Sequence, residues 1–261
     1  MVTVAPTLAA MAEIYLLSRE GGPRSPRFLA YLARVEHEWG LSAYNPMAGP
    51  AALETVRCLV ELDAESLAGD AAREVSARCG FDGELTLAVV VASKGMWTDR
   101  VATEVQHRTP GDRRAGHGIV LLWTGDTIEE AHVRRESAAE AVRAMWTTLF
   151  GAATTLGGVL AREGLAYALS SSPFGPITPG ENARVREAID VLGDTSTLSD
   201  IAGILYGDAT SVALGWAPLG LAEHAGFRWA VDRAKEAIAR AGPRDALHAT
   251  RTLASGFHGV P

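Results

Sequence analysis

ELTLAVVVAS (84–93), MWTDRVATEVQHR (96–108) and HGIVLLW (117–123) together decide the fold of this chain. The first is a continuous apolar run rich in valine, the mark of a strand buried on both faces. The third is a shorter strand of the same kind. The run between them admits two readings. Thr98, Val101, Thr103, Val105 and Thr109 supply β-branched residues in alternation with polar ones, which favours a strand; the alternative is a helix inside a βαβ unit. On the preferred reading Ser93-Lys94-Gly95-Met96 is a tight turn, and 84–93, 97–108 and 117–124 make a three-stranded antiparallel sheet within residues 84–124. Setting His107 opposite His117 pairs Val105 with Ile119, Thr103 with Leu121 and Val101 with Trp123. That register leaves one consistently apolar face.

Helical patterns flank this region on both sides. Leu8, Met11, Ile14, Tyr15 and Leu17 recur near a 3.6 period up to Gly21-Gly22. Ser25-Pro26 reads as a cap followed by a first helical turn. Asn45-Pro46 and Gly49-Pro50 break the chain before two more helices, the second closed at Gly80. Beyond the strands, Thr127-Ile-Glu-Glu130 and Thr178-Pro-Gly-Glu181 both fit a capping box. The loop SSSPFGPITPG (170–180) is the candidate boundary between an N-terminal α+β part and a C-terminal helical part of one domain, residues 1–261. The class expected is therefore α+β, predominantly helical with a small antiparallel sheet.

Composition restricts the function classes. Hydrophobic residues at 48% and charged residues at 21% are those of an ordinary globular chain. A net charge of −7 argues against a nucleic-acid partner, which calls for a basic surface. Arg134-Arg135, set among Glu129, Glu130, Glu136 and Glu140, reads as a solvated helix face. Two cysteines, Cys58 and Cys79, make no disulfide framework, so a reducing cytoplasm is expected, with both thiols buried in helices. No run of about 18 uncharged apolar residues is present, so no membrane span is expected.

The expected site lies on the middle run. As a strand it would project Arg100, Glu104 and Gln106 between apolar walls; as a helix it would place Arg100, Glu104 and His107 at i, i+4 and i+7 on one face. Either way Arg100 and Glu104 stay together. Charges between apolar walls are costly unless paired or facing a wet cavity, and such a cavity is the usual form of a ligand site. Glu104 and His107 are the candidate catalytic groups, with Arg100 and Gln106 contacting a small polar or anionic substrate. GGPRSPR (21–27) offers Arg24 and Arg27 to an anion at a helix start. Tyr44 and Asn45, between chain breakers, suit a pocket wall. His107 and His117 are candidate metal ligands, to be completed by Glu104 or the His37-Glu38 pair, since zinc takes three or four protein ligands. No cofactor motif is identified.

The favoured function is an enzyme working by acid/base chemistry. A non-catalytic ligand-binding or assembly protein is the rival, and a metal-dependent hydrolase the third reading. The sequence leaves a homo-oligomer open.

Overall fold

The computed structural model describes residues 1–93, 100–108 and 114–255, the last four as backbone only. The turn expected at 93–96, the loop 109–113 and the C-terminal tail fall wholly or mainly outside that range.

The sheet is parallel, not antiparallel. Its strands are β1 (Val2–Ala5), β2 (Leu85–Ala92) and β3 (His117–Trp123), in the order β1-β2-β3. Val2 pairs with Leu85 on one side of β2, and Thr86 pairs with His117 on the other. The hairpin reading fails because Arg100–Arg108 is a helix, α5. A helix between two strands carries the chain back along the sheet, so β3 runs in the same direction as β2. The face expected to be buried also changes. Val120 and Leu122 are in the core, while Ile119 and Leu121 are only partly covered. Val101 and Val105 still point inward, as an i, i+4 helical pair with Val105 almost fully buried.

Helices α1 (Thr7–Leu16), α2 (Pro26–Val35), α3 (Pro50–Glu61) and α4 (Ala64–Arg78) separate β1 from β2. After β3 come α6 (Glu130–Phe150), α7 (Leu156–Leu169), α8 (Pro179–Leu192), α9 (Leu198–Tyr206), α10 (Asp208–Ala213), α11 (Ala225–Ala241) and α12 (Pro243–Ser255). α6 lies against β3, β2, α4 and α7, and α7 lies against α11 and α12. One cluster of buried apolar side chains runs from Leu8 to Leu247, across both sides of the 170–180 loop.

Local signals explain several helix starts. The Ser25 hydroxyl accepts from the Phe28 amide, and Thr178 with Glu181 forms a complete capping box. Thr127 does not cap α6, which begins after Glu129 without a side-chain cap bond. Cys79 is buried as expected, but Cys58 is on the exposed side of α3.

Two glycines bring the C-terminal helices together. A Cβ at Gly164 of α7 would strike the carbonyl of Ala230 in α11, and one at Gly226 of α11 would strike the carbonyl of Ile204 in α9. These close approaches set Phe227 against Tyr167 and Tyr206, with ring centroids 5.8 and 5.1 Å away. Among the described residues no helix is long and apolar enough to cross a membrane.

Candidate functional site

α5 runs beside the open edge of β3. The β2–β3 ladder uses the Gly116 carbonyl and the Thr124 amide, so the intervening Ile119 carbonyl points outward from the sheet. His107 meets it, with Nε2 3.0 Å from the Ile119 oxygen, as a donor. The edge that α5 shields would otherwise be open to pairing with another chain.

The polar face of α5 carries alternating charges. Arg100 Nε donates to Glu104 Oε1 at 2.9 Å, and its two terminal nitrogens grip Asp126 at 2.6 and 3.0 Å. The guanidinium also lies 5.3 Å from the ring centre of Trp123, at the carboxyl end of β3. Glu104, whose side chain is 14% exposed, turns its other oxygen towards Arg108 Nη2 at 3.8 Å. That separation is too long for a hydrogen bond.

Arg108 is the pivot of the site. Its side chain is 16% exposed and its guanidinium lies 5.5 and 5.7 Å from the ring centres of Tyr167 and Phe227. Among the described residues its guanidinium donates no hydrogen bond, although it carries five N–H donors. Its backbone carbonyl accepts from Arg162 Nη2, which fastens the end of α5 to α7. Around it stand Tyr206, Phe174 and His224. The Tyr206 hydroxyl is buried with no hydrogen-bond partner among the described residues. His224 caps α11 in the left-handed conformation at φ 57°, with its ring 5.2 Å from Phe174. A non-glycine residue held there carries modest backbone strain, a feature concentrated at functional sites.

Behind Arg108 is a fully enclosed ionic group. Arg143 of α6 binds Glu163 of α7 through Nε and Nη2, the shortest contact being 2.8 Å, and reaches Glu140 at 3.2 Å. Arg162 Nε adds a 3.0 Å bond to Glu163. All four side chains are at most 3% exposed. Burial works against the charge of Glu163, but Arg143 and Arg162 more than offset it and hold the carboxyl at about 2. Burial raises the Tyr167 hydroxyl to about 12, so it stays protonated at neutral pH. A cavity of about 20 Å³ lies between this group and the edge of β3, lined by Glu104, His107, Arg108, Glu140 and Arg143 among others. It has the capacity of roughly one water.

Glu140 thus belongs to the interior rather than to a solvated face. The sequence signal for this group lies in α7, where Arg162-Glu163 is the lone charged pair in an apolar helix. His224 is also more enclosed than a surface histidine. Burial lowers its pKa from the ordinary 6.5, Arg108 and Arg228 push the same way, and Glu223 and Glu104 oppose them. Its neutral form is therefore favoured by folding. The stability this contributes is complete above pH 6.5 and is lost as pH falls through the lower folded value. A two-dimensional NMR titration should place His224 below 6.5, and Glu104→Gln should lower it further. A midpoint at or above 6.5 would contradict the geometry around it.

The other sequence candidates serve elsewhere. Gln106 is exposed on the far side of α5. Arg27 donates to the carbonyls of Tyr15 and Leu17, closing the end of α1, and Arg24 is exposed beside it. Tyr44 is buried edge-on to Tyr15, and Asn45 Oδ1 accepts from the Met47 amide within its own loop. His117 bonds the Ala115 carbonyl through Nδ1 and packs on Trp39. Among the described residues no three His, Cys, Asp or Glu side chains converge as a metal site. Comparison with protein-family models, curated proteins and solved structures finds no match.

Proposed function

We propose that the chain is an enzyme that moves a proton on a small anionic molecule, with Arg108 holding the anionic group and Glu104 acting as general acid or base. One observation carries this reading. Glu104 Oε2 and the Arg108 guanidinium face each other 3.8 Å apart, and among the described residues neither is hydrogen-bonded at that side. A largely buried guanidinium with no hydrogen-bond acceptor among the described residues is costly, and a carboxylate or phosphate oxygen entering the water-sized space beside it would satisfy it. The Tyr206 hydroxyl offers a second donor next to it. Arg100, locked by Asp126, fixes the orientation of Glu104. Arg162 and the Tyr167 ring fix Arg108. Such positioning is what makes general acid–base catalysis effective, at roughly 10²–10⁴-fold.

The test is a thermal-shift screen of small carboxylates and phosphate esters against the full chain. Ligands that bind only the folded state raise its melting temperature. At least one should raise it clearly less in Arg108→Met than in wild type. A screen whose hits are unaffected by Arg108→Met would overturn the assignment, and Arg108→Lys separates loss of charge from loss of packing.

A further inference from the structure

A second cleft lies on the other side of α6, where α4, the first turns of α6 and the end of α7 meet. Its volume is about 340 Å³, within the range of roughly 300–1,000 Å³ typical of small-molecule sites. The space exists because the walls are small. Ala71 and Val75 of α4 and Ala138 of α6 are among its walls, and none of their side chains is long enough to fill it.

Its rim is cationic in a chain whose overall charge is −7. Arg78, Arg134 and Arg135 converge on it; among the described lining residues Glu74 is the one acid, and Glu136 pairs with Arg135 from outside the cleft. Among the described residues each guanidinium makes one hydrogen bond. Arg78 Nη1 donates to the Leu169 carbonyl at 3.2 Å, Arg134 Nη2 to Glu74 at 3.3 Å, and Arg135 Nε to Glu136 at 3.1 Å. Arg78 has no carboxylate within ion-pair distance among the described residues. Most of the donors on this rim therefore have no acceptor among the described residues.

A separate observation points to a ligand. Ser170, at the end of α7, lines the cleft and is 5% exposed, yet its hydroxyl has no hydrogen-bond partner among the described residues. Buried serine hydroxyls are nearly always bonded, commonly to a carbonyl of the preceding turn. Ser170 lines the cleft together with Arg78, Arg134 and Arg135.

We infer that this cleft binds a small organic anion. Its carboxylate or phosphate is held by Arg78, Arg134 and the Ser170 hydroxyl, and its apolar body rests on Ala71, Val75 and Ala138. The site is separate from the one around Arg108. Arg135 faces the cleft, while the adjoining Glu136 faces the cavity beside β3.

The experiment is an NMR titration of the full chain with inorganic phosphate, acetate and butyrate. It follows the arginine Nε–H signals and the amides of Ser170 and Ser171. Saturable shifts are expected at Arg78, Arg134 and Ser170, with butyrate binding more tightly than acetate because of its alkyl tail. The tighter of phosphate and butyrate identifies the headgroup. Arg78→Gln should weaken binding about tenfold or more, while Arg108→Met leaves it unchanged. Ser170→Ala should also weaken binding without lowering the melting temperature, since it removes an unsatisfied buried hydroxyl. Shifts that do not saturate, or that survive both Arg78→Gln and Ser170→Ala, would overturn the proposal.

Discussion

Glu163→Ala should destabilise the fold by about 3–5 kcal/mol, because it leaves two buried guanidinium groups without their shared carboxylate. Arg143 and Arg162 both donate to Glu163 in a region at most 3% exposed, so water cannot replace the lost charge. Glu163→Gln is the milder probe, keeping the shape and one acceptor. The same carboxyl governs acid stability. Its folded value, about 2, lies below the ordinary 4.5, so its contribution is complete above about pH 4.5. That contribution disappears as pH falls through about 2. Denaturant melts from about pH 6 to about pH 2 should show wild type losing stability more steeply than Glu163→Gln. Parallel curves would mean that Glu163 does not carry the acid dependence. Equal stability of Glu163→Ala and wild type would show that the four groups are not a coupled unit.

Glu104→Gln is expected to have the largest effect on activity. The amide keeps an acceptor for Arg100 but cannot take a proton, so turnover of any substrate identified through Arg108 should fall by at least ~100-fold. Stability should change by about 1–2 kcal/mol, because the amide keeps an acceptor for Arg100 but removes the negative charge facing Arg108. Binding of the anionic group should persist, because Arg108 is untouched. Deuterium uptake from D2O into a bound ligand reads the proton transfer directly, whatever product forms. If Glu104→Gln exchanges deuterium as fast as wild type, Glu104 is not the acid or base. If it instead unfolds the chain, Glu104 serves to hold Arg100 and Arg108 in place.

How much of the fold is legible in the sequence depends on the element. β2 and β3 declare themselves by valine- and leucine-rich runs between turn residues. Ser25 and Thr178 announce helix starts because their hydroxyls have a local task. The direction of the sheet is not written locally, since it depends on whether 100–108 crosses over. There the β-branched Val101, Thr103 and Val105 speak for a strand, against the i, i+4 spacing of Val101 with Val105 and of Arg100 with Glu104. β1 gives no signal of its own because Val2–Ala5 spans four residues, too few to show a period. Within the candidate site, the closeness of Arg100 and Glu104 is expected on either reading of the run, though only a helix brings them into direct contact. No local pattern foretells Arg108 resting on Tyr167 and Phe227. Those contacts join residues far apart in sequence, and they depend on the close approaches permitted by Gly164 and Gly226.

The pairing of β1 with β2 also bears on how the chain folds as it is made. The ammonium of Met1 donates to the Gly83 carbonyl across 82 positions, and Val2 waits for Leu85. At a synthesis rate of about 5–20 residues per second, β1 emerges on the order of ten seconds before its partner strand. During that interval α1, α3 and α4, which pack on β2 in the folded chain, lack that strand. Pairing across so long a stretch forms slowly, because the loop must close before the contact can reward it. The apolar faces of α1, α3 and α4 therefore stay uncovered on that side until Leu85–Ala92 arrives to pack against them.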